Sequence, residues 1–134
     1  DGVVPDEGLL PCLHDPDAEV RRLCEAALRG RGLQPIHIDL GRVLTDSHPA
    51  VRLRVLDLLA LPEAKGLDQG LWLRRLSHDP AESVRVAAVR QMSEQTLADL
   101  TDRIDQMARS DPSPTVRAQA RYYRGCVRAA PRRP

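Results

Sequence analysis

Asp15-Pro16-Asp17-Ala18-Glu19-Val20-Arg21 is the first of four copies of one pattern: an aspartate, four residues, then Val-Arg. The pattern returns as Asp46…Val51-Arg52, Asp79…Val84-Arg85 and Asp111…Val116-Arg117, and the four valines stand 31, 33 and 32 residues apart. A fixed period of this size marks a repeat array, in which each unit is one supersecondary element that buries its apolar face against its neighbours. The period sets unit boundaries near 1–30, 31–62, 63–94 and 95–130, within one repeat domain over 1–134.

Each copy sits at a turn between two helical patterns. Asp17 is a candidate N-cap for a helix over 18–29, which Gly30 and Gly32 are expected to stop. Pro35 suits the first turn of a helix that carries Ile36, Leu40, Val43 and Leu44 on one face, and Pro49 opens its partner over 51–61. A third pair spans 68–77 and about 81–93. In the fourth, Leu97, Leu100, Ile104, Met107 and Ala108 fall at i, i+3, i+7, i+10 and i+11, ahead of a last helix over 115–129. The segment before Asp15 reads as a short or bent helix around Leu9, Leu10 and Leu13, interrupted by Pro5 and Pro11. No two-residue alternation occurs, so the fold class is all-α: eight short helices in four antiparallel pairs.

Composition agrees with this. Hydrophobic residues make up 42% and charged residues 29%, but aromatics only 2%, with no Phe. A core of Leu, Val, Ala and Ile suits closely packed helices better than a sheet. Lys65 is the sole lysine among 20 basic residues. The net charge of +1 conceals an asymmetry, since residues 1–102 carry 12 basic and 17 acidic side chains and residues 103–134 carry 8 and 2. A basic end can face an anionic partner or simply solubilise the chain. Cys12, Cys24 and Cys126 are odd in number and lack metal-site spacing, which favours thiols in a reducing compartment, taken as the cytoplasm. No apolar run reaches the ~18 residues of a membrane span. Because it begins at Asp1, the chain is expected to be a piece of a longer one.

Setting the second helices in register separates structural from variable columns. Val20, Val51, Val84 and Val116 align; four positions on stand Cys24, Val55, Ala88 and Ala120, and seven on stand Ala27, Leu58, Gln91 and Tyr123. Offsets 0, 4 and 7 are one stripe and are assigned to the core, with Gln91 as the misfit. The aspartate precedes a helix, where it can accept from free N–H groups and meet the positive end of the dipole. The arginine is badly placed for that dipole and needs another partner. A neighbouring repeat's aspartate would satisfy it, which predicts a structural ladder of Asp15, Arg21, Asp46, Arg52, Asp79, Arg85, Asp111 and Arg117.

The Asp-x4-Val-Arg signature at the start of a second helix resembles HEAT repeats, specifically the short HEAT-like units of bacterial proteins and bilin-lyase relatives, over roughly residues 9–127. The resemblance implies a right-handed, armadillo-like α-solenoid of about four helix pairs with second helices lining a concave face. It also implies the inter-repeat ladder, and it bears on fold rather than on function. Longer HEAT and armadillo units run near ~40–47 residues, and the ankyrin and tetratricopeptide signatures are absent.

The columns in which repeats differ are where function is sought. Leu53, Leu56, Val86 and Val89 lie off the stripe, where the end repeats carry Arg22, Glu25, Ala118 and Arg121. They either pack the middle repeats or form an apolar patch for a partner helix or peptide. Arg117, Arg121, Arg124 and Arg128 form a stripe on the last helix, near Tyr122. It is either a solvated cap or a surface for phosphate, nucleic acid or acidic protein; HEAT-like DNA glycosylases are the family precedent. His14, His48 and His78 lie on successive turns, ~10 Å apart in a stack, too far to share a metal. No catalytic order, phosphate loop or zinc motif is present, so neither cofactor nor metal is expected. The expected function is a non-enzymatic scaffold for a protein partner, with nucleic-acid or anion binding as the alternative.

Overall fold

In the computed structural model the described residues are 10–95 and 98–129, without the side chains of 98, 99 and 127–129. Leu9, Leu97 and the side chains of Val127 and Arg128 lie outside them. The described residues are helices and turns with no strand, so the fold is all-α. The chain divides into two compact units, Asp1–Leu67 and Asp68–Pro134, each holding two copies of the repeated turn.

The first unit opens with a 3-10 turn, Leu10–His14, followed by α1 (Ala18–Gly30), α2 (Pro35–Leu44), α3 (Pro49–Arg52) and α4 (Arg54–Leu59). Asp17 caps α1 by accepting the Glu19 N–H at 2.9 Å. Gly30 remains helical, and Gly32 makes the stop. Its φ of 91° lets its N–H reach the Arg29 carbonyl while the Leu33 N–H reaches that of Leu28, a Schellman end. The helix expected over 51–61 is instead interrupted at Leu53. There the Leu56 N–H bonds the Leu53 carbonyl at 3.1 Å, a tighter 3-10 step. It also ends early, because Pro62 drives Leu61 into an extended conformation at ψ 149°. Leu10, Leu28, Leu40, Leu44, Val55 and Leu59 are the core of this unit. Leu10 lies directly over Gly41 of α2, where any Cβ would collide with its side chain.

The second unit contains α5 (Gln69–Leu76), α6 (Glu82–Ser93), α7 (Ala98–Ser110) and α8 (Pro114–Ala129). Leu100, Ile104, Met107 and Ala108 are all buried, as the spacing of α7 requires. They pack with Trp72, Leu76, Val84, Met92, Val116 and Ala120. Asp111 to Ser113 join α7 to α8 as a helical hairpin, and α6 packs against α5, α7 and α8.

The core stripe of the second helices needs correction. Offset 8, not 7, completes it: Leu28, Leu59 and Met92 are buried, whereas Ala27 is exposed and Leu58, Gln91 and Tyr123 are half-buried. Offsets 0, 4 and 8 advance 80° around a helix, so offset 4 is the centre of the buried face and offset 7 its edge. Gln91 is therefore no misfit. The valine column is uneven, with Val84 and Val116 buried, Val51 half-buried and Val20 36% exposed.

Candidate functional site

All four repeated turns are built alike. The aspartate carboxylate accepts the backbone N–H two residues on, at 2.8 Å in Asp15–Asp17, 2.9 Å in Asp46–His48, 2.8 Å in Asp79–Ala81 and 2.9 Å in Asp111–Ser113. It thus closes an Asx turn just ahead of the helix and is not itself the N-cap. The His48 N–H holds the Asp46 carboxyl below its ordinary pKa, and the His48 ring adds to this. The arginine six residues on then donates from Nη1 to the carbonyl of the same aspartate. These distances are 2.6 Å from Arg21, 2.9 Å from Arg52, 2.9 Å from Arg85 and 2.6 Å from Arg117. The arginine misplaced for the helix dipole is satisfied in part by its own turn.

Bonds from one repeat to the next vary. In the second unit Arg85 spans the turn to Asp111, with Nε to Oδ2 at 3.0 Å and Nη2 to Oδ1 at 3.2 Å. Glu82 accepts from the Ser113 hydroxyl at 2.7 Å beside it. In the first unit, among the described residues, no bond joins Arg21 to Asp46, so the ladder is not a uniform column. His14 there bonds the Arg42 carbonyl at 2.7 Å and the Thr45 hydroxyl at 3.1 Å, and Arg42 pairs with Glu25. The Asp46 carboxylate turns to the His48 ring at 3.2 Å.

The candidate partner-binding residues separate. Val89 is fully buried in the core of the second unit, because α6 has neighbours on three sides; it cannot form part of an exposed patch. Leu53, Leu56 and Val86 are half-buried. Among the described residues the exposed large apolar side chains are others: Val20, Leu23, Leu61 and Tyr122, at 36%, 54%, 40% and 65%. On α8, Arg117 is occupied by its turn and Arg124 lies 3.7 Å from Asp105. Arg121 is exposed next to Tyr122, whose ring meets Tyr123 edge-on at 5.2 Å. Arg124 occupies offset 8, where the other repeats bury Leu28, Leu59 and Met92, which is why its charge needs Asp105. The side chain of Arg128 is outside the described residues.

Among the described residues no three His, Cys, Asp or Glu side chains come together as a metal site. Cys24 is buried beside Cys12; burial raises its pKa and the second thiol adds to this. Cys126 is exposed. No helix among the described residues is long and apolar enough to cross a membrane.

Sequence reasoning missed a recess of about 490 Å³ in the second unit, where Ser77, His78, Asp79, Arg85, Arg103 and Asp111 stand beside Pro80, Met107 and Pro112. Arg103 of α7 reaches back across it. Nε donates to Ser77 Oγ at 2.8 Å, Nη2 to Ser77 O at 2.9 Å, and Nη1 to Gln106 Oε1 at 2.8 Å, with His78 Nδ1 3.3 Å from Nη2. Eight positions before each repeated aspartate stand Glu7, Ile38, Leu71 and Arg103, so the arginine is legible only as the odd member of its column. Burial lowers the pKa of Arg103, and Arg74 and Arg85 push the same way against Asp111. Burial, then Arg103, Arg75 and Arg74, lower that of His78.

No protein-family model, curated protein or solved structure matches the chain. The class that fold and turn define is an all-helical protein with a fourfold internal repeat.

Proposed function

We propose that the chain is a HEAT-like repeat module: a right-handed α-solenoid of four helix pairs, non-enzymatic and cytoplasmic, that offers its surface to a protein partner. The observation that supports this is the turn itself, which combines an Asx closure with an arginine-to-carbonyl bond in all four copies. A turn rebuilt four times while the contacts around it change fits an architectural joint, and repeat modules of this kind work through the surfaces that joints align. The exposed Val20, Leu23, Leu61 and Tyr122 and the half-buried Leu53, Leu56 and Val86 are among the apolar side chains available to such a partner. Two measurements test the reading. Solution scattering should give a radius of gyration above the about 14 Å of a compact domain of this length. A photo-crosslinker placed at Leu23, Leu56 or Tyr122 should yield a saturable protein adduct that excess unlabelled chain competes away. A compact radius would refute the solenoid, and adducts that neither saturate nor compete would refute the scaffold.

A second reading, nucleic-acid or anion binding through α8, has in its favour the exposed Arg121 beside Tyr122. Stacking on an aromatic next to a cation suits single-stranded nucleic acid. The occupied Arg117 and the Asp105-facing Arg124 weigh against it. Salt titration decides. Affinity that falls steeply with ionic strength and disappears in Arg121→Glu would favour this reading over the first.

A further inference from the structure

The recess beside the last joint holds a cation whose hydrogen-bond acceptors among the described residues are all neutral, with the charge of Asp111 acting on it only from a distance. Arg103 is half-buried, and its acceptors are a hydroxyl, a backbone carbonyl, an amide oxygen and an imidazole nitrogen. The nearby carboxylate of Asp111 is engaged by both Nε and Nη2 of Arg85. That of Asp79 closes its own turn on the Ala81 N–H. A guanidinium taken partly out of water normally has a carboxylate or phosphate opposite it, because neutral dipoles repay only part of its lost hydration. Of its five N–H groups, four are used in the bonds above and one on Nη1 remains. If His78 accepts from Arg103 through Nδ1, its Nε2 carries the ring proton and is a second donor at the same recess. Arg74 and Arg75 of α5 add positive potential at His78.

We propose that this recess is an oxyanion site, in which Arg103 and His78 together hold a phosphoryl or carboxylate group. The site is separate from the arginine stripe of α8 and does not depend on the solenoid reading. The cavity, at about 490 Å³, is open and larger than one such group, so the ligand is an anionic head with further atoms extending from it. Arg103 is already fixed by Ser77 and Gln106, so binding orders little that is not ordered before the ligand arrives.

The test is a nuclear magnetic resonance titration of the whole chain with inorganic phosphate and, separately, with acetate, chloride holding ionic strength constant. The Arg103 Nε–H and His78 ring signals should shift and saturate in the millimolar range with at least one of the two. The preferred ion identifies the head group. The bound anion should also raise the pKa of His78, since two sites that stabilise each other's charge do so reciprocally. Arg103→Lys, which keeps the charge but loses the planar fork, should weaken binding at least about tenfold. Should that variant unfold, the wild-type titration alone still decides. Signals that drift without saturating, or that respond equally to phosphate, acetate and chloride, overturn the proposal.

Discussion

Replacing Asp111 with alanine tests the joint where it is most buried. The Asp111 and Arg85 side chains are only 3% and 12% exposed, and two charge-assisted bonds join them. Removing the carboxylate leaves the guanidinium buried beside Met107 and the α7–α8 hairpin with no anion. Breaking a buried pair from one side costs about 3–5 kcal/mol. Arg85 keeps its bonds to the Asp79 and Pro80 carbonyls, which favours the lower end. The Ser113 N–H also loses its acceptor, worth about 1 kcal/mol, so a destabilisation of about 3–4 kcal/mol is expected. Trp72, the sole tryptophan, is buried in the same unit, so urea unfolding followed by its fluorescence reads the right part of the molecule. Arg85→Met combined with Asp111→Ala removes both charges and should recover roughly 2 kcal/mol relative to additive losses. A coupling below ~0.5 kcal/mol would refute the idea that this rung joins the last two repeats. Asp15→Ala, which loses an Asx bond without a rung, should cost only about 1 kcal/mol by circular dichroism.

Three further outcomes follow from the packing. Gly41→Val should destabilise the first unit by about 1–3 kcal/mol, because its side chain would overlap Leu10; pairing it with Leu10→Ala should return part of that loss in thermal unfolding. His78 has its pKa depressed in the folded state, so the unfolded chain binds more protons below the ordinary imidazole value of about 6.5. Stability of the second unit should therefore hold above that pH and decline as pH falls through the folded value, and His78→Gln should flatten this part of the profile. Val89→Ala should cost about 1.5–2.5 kcal/mol, and Leu56→Ala clearly less for the area it buries; equal losses would contradict their different burial.

The helical class, the Asp17 cap, the buried stripe of α7 and all four turns were legible in the sequence. Each is fixed by neighbours within one or two helical turns, so spacing alone reports it. The same local rules placed the stop of α1 at two glycines, but only Gly32 needs a positive φ.

What the repeats do to one another was not legible. Period and register gave Arg21 and Arg85 the same role, yet only Arg85 finds the next aspartate within its own unit, because Asp46 turns to His48 and Asp111 does not. Offset 7 and offset 8 flank the same helix face in a wheel, and packing against actual neighbours chose Leu28, Leu59 and Met92 over Ala27, Leu58 and Gln91. Val89 and Val86 looked equivalent on the sequence; α6, with helices on three sides, buried the first fully and the second by half. Arg103 carried no signal beyond being odd in its column, since what makes it a site is the recess and the neutral partners around it. The sequence by itself determined the joint, a local structure repeated by a local rule. Tertiary structure decided which copies of that joint pair, which side chains are covered and where a half-buried guanidinium is hydrogen-bonded to neutral acceptors alone among the described residues, because those depend on distances between segments far apart in the chain.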